Sequence, residues 1–329
     1  MTNAIDRRAL VSEAMLAPSV HNVQPARWRL EGDDALILFE DTNVRLPVGD
    51  PRGNDAGISL GAAAEGMRLA ASRRGIGVTE DMAALPGATA TLIPVARFRL
   101  HEGAADPDPL ASRVEARRSW RGDFQACSSD DRTEAAKLAG DDAAVITDPA
   151  TLSTIARLFD RASYGFMRDG KFRRELVSWM RLSRRHPRWD RDGLNADAMA
   201  MNRIEAIGAS AVLGPFFALL DRIRLAGPLL AEGKKVSSAA GLIVFHRPVD
   251  EEPFVSGAHF YRLWLSIEAA GFGAAVLAAL ADDAAVAAEV SLIAGVPRGR
   301  RIVSAFRIGR RPAGAIAPRS RRQIEEILV

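Results

Sequence analysis

Two stretches rich in small residues, each ending in a G-x-G turn, most constrain the fold of this chain. The first is ISLGAAAEGMRLAASRRGIG at 58–77, and the second is FYRLWLSIEAAGFG at 260–273. Both have helical apolar spacing, and a glycine often ends a helix. Two such units favour two related halves over a solenoid of short repeats. The alternative is a chance similarity between two alanine-rich helices.

Strand and helix patterns interleave along the whole chain. Runs of apolar and β-branched residues predict strands at 27–30, 35–40, 88–100, 143–148, 240–246 and 300–309. Capping residues and helical spacing predict helices at 6–16, from an Asn54 cap to Gly75, and at 110–119, 149–185, 251–273 and 282–294. Region 186–235 is expected to be irregular.

These elements predict an α+β fold class, with two fused related halves whose mixed or antiparallel sheets are flanked by helices. The polar segment HEGAADPDP at 101–109 is the expected boundary. The first half is then 1–105, and the second half is 106–329 with a lid insertion at about 186–235.

Composition is that of a globular protein, with 48% hydrophobic and 26% charged residues in 329. Apolar runs such as 274–281 are too short to span a bilayer, and the first 15 residues lack the apolar core of a secretory signal. Cys127 is the one cysteine, so neither an internal disulfide nor a structural zinc site is expected. We therefore expect a cytoplasmic protein without a bound metal.

Arginine supplies nearly all of the positive charge, because lysine occurs only four times. Arginine forks suit phosphate better than lysine point charges do. The basic stretch 168–192 contains Trp179 and Trp189, so it could bind nucleic acid through phosphate contacts and base stacking. We favour an amphipathic helix with Phe172, Leu176, Trp179 and Met180 on the inner face and the arginines outward.

Four segments together resemble the FMN-dependent nitroreductase superfamily: APSVHNVQP (17–25), RRSWRGDF (117–124), RLWLSIEAAGFGAA (262–275) and FRIGRRPAGAIAPRSRRQIEEIL (306–328). In single-domain members the RRS segment precedes the asparagine–glutamine loop, whereas here it follows. A fused pair explains this order and is similar to the twin-domain subgroup that includes mycobacterial Acg-type proteins. The resemblance implies a nitroreductase-like fold with one FMN site built from both halves.

The resemblance also implies which residues hold the cofactor. Guanidinium and hydroxyl donors for the phosphate and ribityl chain would come from Arg117, Arg118, Ser119, Arg121, Arg319 and Arg321, with Arg322 as a further tail candidate. Side-chain and backbone groups near the ring would come from Ser19, Asn22, Gln24, Gly271 and Gly273, since amides both donate and accept.

Each of these assignments has a structural alternative. The arginines could form a solvated surface, and the loop could satisfy only its own backbone. Gly271 could simply end a helix. His21 is more often a surface or structural histidine than an acid, and no catalytic residue beyond the flavin is expected.

The implied activity is hydride transfer from NAD(P)H, through FMN, to an electron-poor acceptor such as a nitroaromatic or a quinone. Ala26 follows the QP pair where the family has an aromatic residue, which puts the nitroaromatic acceptor in doubt more than the flavin. Partners would be the small-molecule acceptor, without nucleic acid or membrane, in a pseudo-dimeric monomer or a homodimer. The alternatives are an FMN storage protein, closed by a lid at 186–199, and an arginine-rich nucleic-acid-binding protein.

Overall fold

The computed structural model describes residues 5–81, 85–103 and 105–329. Residue 104, inside the expected boundary 101–109, lies outside the described residues. The fold is α+β, as the sequence predicts. Its first four strands are β1 (Ala26–Glu31), β2 (Ala35–Asp41), β3 (Ile76–Glu80) and β4 (Leu92–Glu102). They form an antiparallel sheet in the order β1-β2-β4-β3.

The remaining strands belong to the second half of the chain. They are β5 (Ala143–Ile146), β6 (Met180–Arg181), β7 (Leu194–Asn195), β8 (Gly241–Pro248), β9 (Gly273–Val276) and β10 (Arg300–Gly309). Four of them form a second antiparallel sheet in the order β5-β8-β10-β9. Strands β6 and β7 form a separate parallel pair.

The helices surround and connect the sheets. They are α1 (Arg7–Ala14), α2 (Asn54–Ser72), α3 (Ser129–Ala136), α4 (Pro149–Arg168), α5 (Gly170–Trp179), α6 (Arg203–Leu213), α7 (Phe217–Arg222), α8 (Ala226–Leu230), α9 (Gly233–Ser237), α10 (Pro253–Ala269), α11 (Ala279–Asp282) and α12 (Ala284–Ala294). No helix in the described part of the chain is long and apolar enough to cross a membrane.

One topology occurs twice in the chain. In the first sheet two strands precede α2 and two follow it. In the second sheet β5 and β8 precede α10, and β9 and β10 follow it. The strand order also corresponds, since β1-β2-β4-β3 becomes β5-β8-β10-β9. The two glycine-terminated helices are therefore equivalent elements of a repeat rather than chance similarities.

Helices α2 and α10 cross so closely that glycine is required at the contact. A Cβ atom at Gly61 would lie 1.9 Å from the carbonyl oxygen of Phe254. A Cβ at Gly257 would lie 2.2 Å from the carbonyl oxygen of Ile58. Backbones that approach this closely leave no room for a side chain. The small residues of the repeat thus join the two halves.

Helix α10 contributes to the hydrophobic cores of both halves. Tyr261 and Leu265 pack in the first core with Trp28 and Phe98. Phe260 and Trp264, on another side of the same helix, pack in a core of the second half. Because one helix fills two cores, the halves cannot separate without exposing large aromatic side chains.

The chain ends and the linker also cross between the halves. The amide of Trp28 in β1 donates to the carbonyl of Ile327 at 2.8 Å, so the C-terminal tail extends the first sheet. The amide of Trp120 donates to the carbonyl of Ala274 in β9 at 2.7 Å. These two bonds fix the tail and the 117–121 segment beside the interface.

Three predictions of local structure are wrong. The predicted helix 110–119 is only a short 3-10 turn at Pro109–Arg113, because the following residues pair with β9 instead. The long helix is capped by Gly53, and Asn54 is its first residue. Region 186–235 is not mainly irregular, since it contains β7 and helices α6 to α9.

Candidate functional site

A cavity of about 320 Å³ lies where the two halves meet. Its wall contains side chains from the N-terminal loop, the 117–121 segment and the C-terminal tail. Eight of the residues singled out from the sequence line it: Ser19, Asn22, Arg117, Arg118, Ser119, Arg121, Arg319 and Arg321. Three others, Gln24, Gly271 and Gly273, do not appear in its wall.

The N-terminal loop reaches the cavity in a strained conformation. His21, Asn22 and Gln24 have φ angles of 43°, 55° and 56°, in the left-handed region that non-glycine residues rarely adopt. The Ser19 hydroxyl accepts a hydrogen bond from the backbone N–H of Gln24 at 3.0 Å, which closes the turn. Strain of this kind persists only where surrounding contacts impose it, and it is concentrated at functional sites.

Gln24 supports the loop from behind rather than facing the cavity. Its Nε2 donates to the carbonyl of Arg191 at 2.8 Å, and its Oε1 accepts from the Arg322 amide at 3.0 Å. Asn22 and Gln24 therefore differ in placement, since Asn22 lines the cavity and Gln24 does not. Both polar groups of the Gln24 amide are satisfied within the protein.

Asn22 connects three segments at the edge of the cavity. Its Nδ2 donates to the carbonyls of Gly193 and Ser320, each at 3.2 Å. Its Oδ1 accepts from Nη1 of Arg321 at 2.9 Å. One amide thus holds the loop, the 186–199 segment and the tail in a common arrangement.

Three buried arginines are gathered on one wall of the cavity. The Arg117 guanidinium lies 4.6 Å from the centre of the Trp264 ring, and its Nη2 donates to the Leu16 carbonyl at 2.7 Å. Arg319 donates to the Arg117 carbonyl at 2.6 Å. Arg321 donates to the Ala17 carbonyl at 3.0 Å. Backbone carbonyls therefore position all three guanidinium groups.

Negative charge is scarce around this cluster. No acidic side chain in the described part of the chain pairs with Arg117 or Arg321, and the pair of Arg319 is Glu115, 3.8 Å away and 76% exposed. Burial, and then the charge of the neighbouring Arg117, lowers the pKa of Arg319 to about 9. Burial and then Arg117 likewise lower the pKa of Arg321. The cluster is therefore a concentration of uncompensated positive charge.

Several donors of the cluster have no partner within the protein. Nε of Arg117 and both Nε and Nη1 of Arg319 are buried without a hydrogen bond. Trp264 also lines the cavity, and its Nε1 is likewise buried without a hydrogen-bond partner. Leaving buried charged donors unpaired is costly, so the surroundings of Arg117 and Arg319 suit an anion with several acceptor oxygens.

Arg121 and His21 form a different part of the wall. Arg121 donates to the carbonyl of Ala198 at 3.3 Å, so the 186–199 segment helps to position it. Burial, and then the charge of Arg121, lowers the pKa of His21 to about 4. The imidazole is consequently neutral at physiological pH.

Sequence reasoning did not identify Asp55, Ser59, Trp264, Val276, Ala278 and Ser304, which also line the cavity. Burial, and then the charge of Asp50, raises the pKa of Asp55 to about 7. The elements that carry these residues were largely predicted. The faces of α2, α10 and β10 that meet the cavity were not predicted, because apolar spacing alone does not distinguish a core contact from a cavity wall.

The two glycines after α10 have structural surroundings. Gly271 has a φ of 78°, and a Cβ there would lie 2.8 Å from Nη1 of Arg310. A Cβ at Gly273 would lie 2.6 Å from the side chain of Arg311. Val276 and Ala278, further along the chain, line the cavity in their place. Gly271 thus fits the helix-ending alternative.

The segment 186–199 is anchored over the cavity by one fully buried carboxylate. Asp192 pairs with Arg181 at 2.9 Å and with Arg322 at 3.1 Å, and it also binds Arg188. Gly193 and Leu194, which follow it directly, line the cavity. The segment therefore contributes to the wall of the cavity. Among the described residues, no group of three or more acidic, histidine or cysteine side chains could hold a metal ion.

Solved structures similar to this chain include FMN-dependent nitroreductases. A nitroreductase with bound FMN from Bacteroides fragilis is 13% identical, with a TM-score of 0.35, over 64% of this chain and 91% of that chain. The nitroreductase NfnB from Mycobacterium smegmatis in complex with NADPH is 17% identical, with a TM-score of 0.37, over 66% and 96%. A BluB-like flavoprotein from Clostridium difficile is 14% identical, with a TM-score of 0.36, over 68% and 98%. No protein-family model and no curated protein matches the sequence.

Proposed function

We propose that this chain is an FMN-dependent oxidoreductase of the nitroreductase type, which transfers hydride from NAD(P)H through FMN to an electron-poor acceptor. The observation that carries the proposal is the arginine cluster of Arg117, Arg319 and Arg321. All three side chains line a cavity at the interface of the two halves, and Arg117 and Arg319 each have buried donors without a protein partner. A phosphate dianion supplies the negative charge and the acceptor oxygens that the cluster lacks.

The rest of the cavity wall suits a planar group with polar edges. Phe260, Trp264, Val276 and Val303 supply apolar surface, and Ser19 supplies a hydroxyl group. The Asn22 amide at the cavity edge is engaged with Gly193, Ser320 and Arg321, so it orders the wall. Binding pockets typically combine apolar walls with a few placed polar groups. FMN has both a phosphate and such a ring, so the residues present fit it.

In this proposal the protein's own residues bind, orient and exclude water. Arg117, Arg319 and Arg321 hold the phosphate, with Arg118 and Ser119 beside it. Arg121 places a positive charge that stabilises negative charge on a reduced ring, and neutral His21 leaves that charge undiminished. Bound FMN supplies the two-electron redox chemistry.

We further infer that residues 1–105 and 106–329 contribute to a single site. The loop of the first half and the 117–121 segment of the second line the same cavity. The bond between Asn22 and Arg321 joins the first half to the tail. These contacts support one flavin per chain, shared by both halves.

Absorbance of the purified, desalted protein tests the cofactor assignment. We expect a flavin spectrum, release of FMN on denaturation, and about one FMN per chain. Anaerobic addition of NADH or NADPH should then bleach the flavin band, and a nitroaromatic or quinone should restore it. The absence of FMN binding by reconstituted protein would contradict the proposal.

A second candidate function is FMN storage with little turnover. The buried anchor of the lid favours it, because Asp192 holds the cover through three arginines. Under this alternative, bound FMN is neither reduced by nicotinamide nor reoxidised by acceptors at a useful rate. The same anaerobic experiment distinguishes the two functions.

A further inference from the structure

The segment 203–230 exposes an unusual amount of apolar surface. Fourteen large hydrophobic side chains are exposed in the described part of the chain, and seven of them lie in this segment. They are Ile204, Ile207, Phe216, Leu219, Ile223, Leu225 and Leu229, with exposed fractions between 48% and 81%. Exposed apolar side chains concentrated in this way indicate an interaction surface.

Positive charge accompanies this surface without any internal partner. Arg203, Arg222, Arg224 and Lys234 are exposed and form no side-chain hydrogen bond or ion pair within the described residues. The chain has only four lysines, and two of them stand together at 234 and 235. Most other arginines of the protein, by contrast, have carboxylate or carbonyl partners.

The acidic residues of the same region are already satisfied within the protein. Glu205 accepts from the amide of Asn202 at 2.7 Å in a capping box. Asp221 accepts from the hydroxyl of Tyr164. Glu232 pairs with Lys235 at 2.8 Å. The surface therefore presents apolar side chains and free cations, whereas its anions are engaged.

We propose that segment 203–230 docks the protein on an anionic lipid surface, with its apolar side chains in the acyl boundary and its cations at the headgroups. Interfacial membrane segments combine these two features, and long cationic side chains reach headgroup phosphates while their stems stay apolar. This peripheral contact revises the sequence-based expectation of no membrane partner. It does not depend on the cofactor in the cavity.

The helices of this segment favour a lipid phase over a protein partner. Helices α6, α7 and α8 have 11, 6 and 5 residues. Helices α7 and α8 are too short for a stripe at i, i+4 and i+7, and α6 exposes only Ile204 and Ile207 as large apolar side chains, so none presents the stripe that a docking helix requires. A fluid acyl boundary needs no shape complementarity, and each inserted apolar side chain contributes separately.

Sedimentation with lipid vesicles tests the proposal on the full chain. Vesicles of phosphatidylcholine with roughly 30% phosphatidylglycerol should bind the protein at low salt. Vesicles of pure phosphatidylcholine should bind it with an affinity at least about tenfold weaker. Added salt should weaken the binding. Failure to bind the anionic vesicles would overturn the proposal.

Variants separate the apolar and electrostatic contributions. Leu219→Ser with Ile223→Ser, and separately Arg222→Gln with Arg224→Gln, should each reduce anionic-vesicle affinity by about tenfold or more. Leu292→Ser is the matched control, because that leucine is 84% exposed on α12, outside the segment. Circular dichroism and thermal unfolding establish that each variant is folded.

Two further results would overturn the proposal. One is vesicle affinity in the Leu219→Ser, Ile223→Ser variant equal to that of the wild type. The other is a dimer, detected by analytical ultracentrifugation, that this variant dissociates while no vesicle binding occurs. The second result would assign the surface to another copy of the chain.

Discussion

Arg321 donates from Nη1 to Oδ1 of Asn22 at 2.9 Å, a bond between residues 299 positions apart in the sequence. The same arginine donates to the carbonyls of Met15, Leu16 and Ala17. The tail therefore passes over the N-terminal loop and fixes it against the cavity. The arrangement of both segments depends on residues at opposite ends of the chain.

Loss of cavity side chains should weaken FMN retention. Asn22→Ala and Arg121→Ala should each raise the Kd for FMN by about tenfold or more. Arg121→Ala removes a charge-assisted contact of about 1.5–3 kcal/mol, and Asn22→Ala releases the loop from the tail and the 186–199 segment. Fluorescence titration of apoprotein with FMN measures this change. Arg157→Ala, at an exposed position of α4, is the control. Retention of wild-type affinity in both variants would contradict the assignment of these residues.

Asp192→Asn should destabilise the lid and the protein. The carboxylate is fully buried and binds Arg181, Arg188 and Arg322, so its neutralisation leaves buried guanidinium groups without a counter-charge. Breaking a buried ion pair from one side costs about 3–5 kcal/mol. Urea unfolding should show this loss, and limited proteolysis should cut faster near 186–199. Unchanged stability and protease resistance would show that the anchor contributes little.

Gly61→Ala should disrupt the crossing of α2 and α10. The added Cβ would fall 1.9 Å from a backbone oxygen of Phe254, and backbone cannot move aside as a flexible side chain can. We expect a loss of about 3 kcal/mol in the free energy of unfolding. Gly165→Ala in α4 has open space around the new Cβ and should be neutral or stabilising by up to about 1 kcal/mol. Equal effects of the two substitutions would contradict the close packing.

His21 should make the protein less stable in acid. Burial and Arg121 lower its pKa from 6.5 to about 4, so the unfolded chain binds a proton at this site that the folded chain excludes. Stability is therefore complete above pH 6.5 and falls as the pH drops from 6.5 to 4. His21→Asn, which is neutral and tolerates a positive φ, should remove about 3 kcal/mol of that acid loss. Urea titrations of the wild type and the variant at pH 4.5, 5.5 and 7.5 measure the free energy of unfolding. An equal loss of stability in acid for both proteins would contradict the prediction.

The sequence predicted six of the ten strands in the described residues, and the longer helices, because each has a local apolar pattern. It did not predict β3, β6, β7 and β9. The strand at 300–309 matches β10, and the predicted strands at 27–30 and 35–40 lie within β1 and β2. The predicted helix 110–119 failed because a long-range partner decided the structure. Trp120 pairs with Ala274, and no local pattern at 110–119 reveals that strand.

The site was partly predictable because some of its residues belong to short sequence motifs. Arg117, Arg121 and Asn22 belong to short motifs, and the structure brings them to one cavity. Gln24 belongs to such a motif too, yet it is turned away by bonds to Arg191 and Arg322, far along the chain. The helices of 203–230 were missed because their apolar residues face solvent, and a pattern without a buried face looks irregular.

The affinity of the apoprotein for FMN compared with riboflavin tests the central claim most directly. The two ligands share a ring and a ribityl chain and differ only in the phosphate. If Arg117, Arg319 and Arg321 hold that phosphate, FMN should bind at least about 100-fold more tightly, and Arg319→Gln should reduce this preference by about tenfold. Equal affinity for FMN and riboflavin, within about twofold, would contradict the account.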